Sequence, residues 1–156
     1  MGKELISQNW NIVSEVELVY KSKVKASQRP QLKRVADVAE FLRQNWDKNR
    51  IELQEQFKVI LMNRNHRVLA IYEASTGGVA GTVADPKLIF MAALKMNASN
   101  LIISHNHPSG NLEPSQADKM LTQKIKDAAI LLDLRLLDHV IITTEGFYSF
   151  ADEGLL

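Results

Sequence analysis

At 156 residues the chain is long enough for one domain with a buried core and too short for two. Its 19 Lys and Arg against 18 Asp and Glu leave no overall field to draw it onto a polyanion, so a nucleic-acid partner is not implied by charge. The absence of cysteine excludes disulfides, thiolate zinc sites and cysteine nucleophiles, so any metal must be held by His and carboxylate. The opening MGKELISQNW lacks the apolar stretch of a signal peptide, and no run reaches bilayer length. Position 6 is Ile where a myristoylation signal needs Ser or Thr, so a cytoplasmic protein with no membrane partner is expected.

From Ile12 to Lys21, alternation of Val16, Leu18 and Tyr20 with Glu15, Glu17 and Val19 predicts a half-buried strand. The connector KSKVKASQRP follows; its basic residues, with Lys33 and Arg34, read as a solvated stretch. Leu32, Val35, Val38, Ala39, Leu42 and Trp46 then recur at helical spacing. Residues 57–62 and 68–72 are β-rich runs around the polar turn Asn63-Arg64-Asn65-His66, which predicts a hairpin with His66 on the surface. Gly77, Gly78 and Gly81 match no phosphate-binding or dinucleotide fingerprint and read as a flap. Asp85-Pro86 caps a helix expected to run to about Met96.

Leu101-Ile102-Ile103 is a short apolar run that predicts a central strand covered on both faces, and it delivers the chain into His105. A helix from Ser115 to Leu132 and strands at 136–143 and 147–150 around Glu145-Gly146 complete the order β α β β α β α β β. This pattern predicts a single α/β domain with a mixed sheet flanked by helices. Residues 1–50 are expected to form an N-terminal strand-helix extension packed on a main unit of residues 51–156.

The chemistry concentrates in HNHPSGNLEPSQAD. In an extended chain His105 and His107 point to one side and Asn106 to the other. Pro108 ends the strand, Gly110 and Pro114 suit a turn, and Ser115 caps a helix that has Asp118 in its first turn. Two imidazoles and a carboxylate form the three-ligand zinc set of hydrolytic sites, with a fourth position open to water. The helix start at Ser115 adds positive potential where an oxyanion develops. Ser115-x-x-Asp118 is equally an ordinary capping box, and an isolated His-x-His is often a polar loop; the two halves together, directly after a buried strand, point to one ion.

His-x-His-Pro, six residues, then Ser-x-x-Asp resembles the JAMM (JAB or MPN-plus) metalloprotease motif, complete from His105 to Asp118. LIISHNHPSGNLEPSQAD and RLLDHVIITTEGFYSFADEGLL further resemble the RadC branch of bacterial JAB-domain proteins, over roughly residues 52–156. The resemblance implies a cytidine-deaminase-like (JAB/MPN) fold, zinc on His105, His107 and Asp118, and hydrolysis of a peptide or isopeptide bond in a peptide or protein substrate. It also implies Ser115 at the oxyanion and an upstream glutamate as general base, a place that Glu55 matches. Periodicity alone does not choose Glu55 over Glu52 or Glu73.

Asp138-His139 matches a pair carried by the family, open to a role behind the ligands or to that of a satisfied core-edge histidine. Full-length RadC proteins add a helix-hairpin-helix region that depends on a glycine-bearing hairpin. With only Gly2 before Gly77, that module is expected to be absent. Gly77-Gly78 and Pro86-Lys87 stand where the family commonly has Gly-Thr and Pro-Arg. The rival expectations are an accessory module of DNA transactions that carries zinc without peptidase activity, and a hydrolase of small-molecule amides.

Overall fold

The computed structural model describes residues 14, 16–77 and 84–156. Within them, helix α1 (Val35–Gln44) precedes the hairpin of β1 (Gln56–Met62) and β2 (Val68–Thr76). Then follow α2 (Pro86–Lys95), β3 (Asn100–Asn106), α3 (Gln116–Leu131), β4 (Arg135–Ile142) and β5 (Phe147–Ser149). The five strands form one mixed sheet in the order β2-β1-β3-β4-β5, parallel at β3/β4 and antiparallel elsewhere.

β1 and β3 are buried along their whole length because helices cover both faces of the sheet. On one face Phe57, Val59, Leu61, Leu101 and Ile103 pack against Ile89, Phe90 and Ala93 of α2 and Ile125 and Ala129 of α3. On the other, Ile60, Met62, Ile102, Val140 and Ile142 meet Val38, Ala39 and Leu42 of α1, with Trp46. The result is a three-layer α/β domain, as the alternating pattern predicts.

The helix starts follow local chemistry. Asp85 accepts a hydrogen bond from the Lys87 amide at 2.9 Å with Pro86 in the first helical position. Asp37 accepts from the Arg34 amide at 3.0 Å at the head of α1. Parallel β3 and β4 need a crossover, and α3 supplies it, so its N-terminus must stand at the C-terminal edge of β3. That requirement brings Ser115 and Asp118 over His105.

The expected strand from Ile12 to Lys21 is a correction. Ser14 and Val16–Lys21 form no strand, and Val16, Leu18 and Val19 are 81%, 96% and 60% exposed. Alternation yields a strand only beside a neighbour that supplies backbone hydrogen bonds, and none of the described strands pairs with this segment. Ile12, Val13 and Glu15 lie outside the described residues, as do Gly78 and Gly81 of the expected flap. The basic residues from Lys21 to Arg34 are exposed except Arg29, which is half-buried. His66 is partly exposed in the β1-β2 turn with a left-handed backbone (φ 55°).

Candidate metal centre

The site forms where the ends of three elements meet. β3 carries His105 as its penultimate residue, paired across to Phe57 of β1 and Ile141 of β4. Beyond the strand, the His107 amide still donates to Ile142 O at 3.3 Å. The Gly110 amide then closes a turn onto His107 O at 3.0 Å, with Gly110 at φ 81°, a left-handed conformation that favours glycine. This turn brings Asn111 O to 2.6 Å from His107 Nδ1, so Nδ1–H donates and the Nε2 lone pair faces the site.

At the head of α3 the capping box is real: Ser115 Oγ accepts from the Asp118 amide at 3.1 Å and Asp118 Oδ2 accepts from the Ser115 amide at 2.7 Å. Capping also fixes the carboxylate towards the histidines. Asp118 Oδ1 lies 3.4 Å from His105 Nε2 and Oδ2 lies 3.8 Å from His107 Nε2. The two imidazole Nε2 atoms are 2.9 Å apart. The capping geometry and the approach of the Asp118 carboxylate to the two imidazoles thus coexist.

Asn106, facing the opposite side, reaches back to the chain before β1. Its Nδ2 donates to Ile51 O at 2.7 Å and Gln54 O at 2.9 Å, and its Oδ1 accepts from the Gln56 amide at 2.7 Å. Glu55 sits inside that clamp, its carbonyl accepting from the Gly77 amide at 2.8 Å. Its Oε1 stands 4.0 Å from His105 Nε2. The other two glutamates point elsewhere: Glu52 accepts from Thr144 Oγ1 at 3.1 Å, and Glu73 from Gln56 Nε2 at 3.2 Å.

Donor atoms of Glu55, His105 and His107 all lie within 4.8 Å of one another, a group that could hold a metal ion. Asp118 adds a carboxylate closer to His105 than Glu55 is. A tetrahedral ion with bonds of about 2.0–2.2 Å spaces its ligand atoms by about 3.3–3.6 Å, and the separations here of 2.9, 3.4 and 3.8 Å bracket that spacing. Nitrogen and oxygen donors without sulfur suit a divalent transition-metal cation.

Electrostatics separate the two carboxylates. Burial pushes the Glu55 carboxyl up, more than the neighbouring histidines pull it down. Burial also pushes Asp118 up, but His105 and the Ser115 amide and hydroxyl outweigh it, holding that carboxyl well below the usual carboxylate range. A cleft of about 230 Å³ opens beside His107, bounded by Glu52, Ser109, Thr143 and Thr144.

Behind His105 stand residues that sequence reasoning left open or missed. His139 Nε2 is 2.8 Å from His105 Nδ1, and its Nδ1 is 2.6 Å from Thr122 Oγ1. Asp138 turns the other way, accepting from Ser149 Oγ at 2.5 Å, the Ala151 amide at 3.0 Å and the His139 amide at 2.7 Å. It pins the C-terminal turn so that Phe150 stacks on His139, centroids 4.5 Å apart. Thr122 carried one unused signal, its i+4 spacing from Asp118 on α3.

A family model described as RadC-like JAB domain matches residues 32–155. Similar curated proteins, each named UPF0758 protein, include one from Flavobacterium johnsoniae, 50% identical over 101 residues, or 65% of this chain and 44% of the relative. One from Porphyromonas gingivalis is 47% identical over 104 residues, 66% of this chain and 46% of the relative. One from Pasteurella multocida is 45% identical over 103 residues, with the same coverage of 66% and 46%. The matched stretch is thus less than half the length of these relatives. Among the described residues no helix is long and apolar enough to cross a membrane.

Proposed function

Because the chain belongs to the RadC-like JAB domain family, we propose that it is a zinc-dependent hydrolase of the JAMM type that cleaves a peptide or isopeptide bond. The observation that carries this reading is the convergence of His105 Nε2, His107 Nε2 and Asp118 Oδ1, with Glu55 Oε1 set back at 4.0 Å from His105. The first three are assigned as ligands because Asp118 is the nearer carboxylate, and Glu55 as general base because it is the farther one. Three protein ligands leave room for water and substrate.

Zinc bound there would polarise a water molecule and the substrate carbonyl. Glu55 takes a proton from the attacking water at a carboxylate oxygen and gives it to the leaving nitrogen as the C–N bond breaks. Ser115, whose hydroxyl accepts from the Asp118 amide and also steadies the Asp118 carboxylate, is assigned as the donor to the developing oxyanion. The cleft that borders His107 is where part of the substrate chain would lie beside the site.

The test is a screen of fluorogenic peptides and isopeptide-linked conjugates with the zinc-loaded chain. The expected result is turnover abolished by a chelator, restored by zinc and absent in Glu55→Gln. Turnover insensitive to chelation, or none across peptide and isopeptide substrates, would contradict the peptidase reading.

A further inference from the structure

We propose that His139 and Thr122 are positioning residues that fix the proton of His105 on Nδ1 and so aim its Nε2 lone pair at the metal. The inference rests on the reading of His105 as a ligand, and follows from counting hydrogens along one chain of contacts. Thr122 Oγ1 donates its single hydrogen to Asp118 O at 2.6 Å, an acceptor only. Towards His139 the same oxygen can therefore only accept, so the nitrogen 2.6 Å away, His139 Nδ1, carries a proton.

His139 is fully buried, stacked on Phe150 and tilted against Phe57, where a neutral ring is favoured. With its proton on Nδ1, its Nε2 is an acceptor, and His105 Nδ1 at 2.8 Å must be the donor. The only ring nitrogen of His105 left with a lone pair is Nε2. On the other side Asn111 O fixes His107 in the same sense. Two Nε2 lone pairs then converge 2.9 Å apart, the pair of donors that would hold a divalent cation.

The contacts also set ring orientation. His105 lies parallel to Phe57, 3° between planes, and Phe150 lies 15° from parallel to His139. Thr122 is thus tied to the site twice, through its i−4 carbonyl to the residue that carries the Asp118 carboxylate and through His139 to His105. A residue that never touches the ion thereby governs two of its ligands.

The experiment measures zinc affinity by chelator competition in the full chain, and the His105 tautomer by long-range ¹H–¹⁵N NMR of the zinc-free protein. The variants are Thr122→Val, Thr122→Ser and His139→Gln, each checked for folding by circular dichroism. The expected result is Nδ1-protonated His105 in wild type, mixed tautomers in Thr122→Val, and affinity about 10- to 100-fold weaker in Thr122→Val and His139→Gln. Thr122→Ser restores affinity to within about threefold, which a purely structural role for the methyl group would not produce. Wild-type His105 protonated on Nε2, or folded Thr122→Val with wild-type affinity and tautomer, overturns the relay. If wild type binds no zinc, the ligand reading fails, and the tautomer spectrum still decides whether the relay exists.

Discussion

The Asn106 side chain holds Glu55 by its neighbours: it donates to Gln54 O at 2.9 Å and accepts from the Gln56 amide at 2.7 Å, so the residue between them is presented to His105. Alternation along β3 does both jobs at once, since the face opposite the histidines grips the strand that brings the proposed base. Asn106→Ala leaves the Ile51 and Gln54 carbonyls and the Gln56 amide without these partners, and is expected to lower stability by about 2–3 kcal/mol in urea unfolding. Asn106→Asp keeps the acceptor but turns a carboxylate onto two carbonyls, and is expected to be no milder. Wild-type stability in both would show that the clamp is idle.

Stability should fall on mild acidification. Burial depresses the His139 pKa well below its usual 6.5, so as pH drops below about 6.5 the unfolded chain takes up a proton that the folded one refuses. That contribution is complete above 6.5 and is lost as pH falls towards the depressed folded value. Asp118, also depressed, adds a loss of the same sign at lower pH, beginning near the ordinary carboxylate value and running below it. Urea midpoints measured with chelator present should decline from pH 7 to 5, with a shallower slope in His139→Phe. Equal slopes would contradict the assignment.

Asp138 has the opposite sense. Burial raises its pKa, more than Ser149 and the Ala151 and His139 amides lower it. Asp138→Asn retains acceptance at one oxygen and relieves the buried charge, so a change within about 1 kcal/mol is expected near neutral pH. Asp138→Ala strands two amides and a hydroxyl and should cost roughly 3 kcal/mol. Thermal melts of the two variants separate these outcomes, and equal losses would argue against the pinning role.

Leu42 is fully buried between α1 and the sheet. Leu42→Ala should cost about 2–5 kcal/mol. If α1 belongs to the same cooperative unit as the metal centre, the variant unfolds in one transition at lower denaturant. Early loss of helix signal with the remainder unchanged would mark an independent extension.

The convergence of His105, His107 and Asp118 was legible because they lie within fourteen residues and a turn joins them. The caps at Asp85 and Ser115 were legible for the same local reason. Glu55 was separable from Glu52 and Glu73 only through the family resemblance and not by periodicity, because what brings it near His105 is the β1/β3 register, Phe57 opposite His105, between segments about fifty residues apart. His139 reaches the site through parallel pairing with Ile103, which no local pattern encodes. The expected strand near Val16 failed for the complementary reason: its alternation is present, but a pairing partner among the described strands is not.

The central claim is one zinc on His105, His107 and Asp118 with Glu55 as base, and metal content by mass spectrometry after zinc loading and desalting tests it most directly. The account predicts about one zinc per chain in wild type and in Glu55→Gln, with loss in Asp118→Ala. A wild type without bound zinc, or a Glu55→Gln that loses zinc while Asp118→Ala retains it, would contradict the assignment.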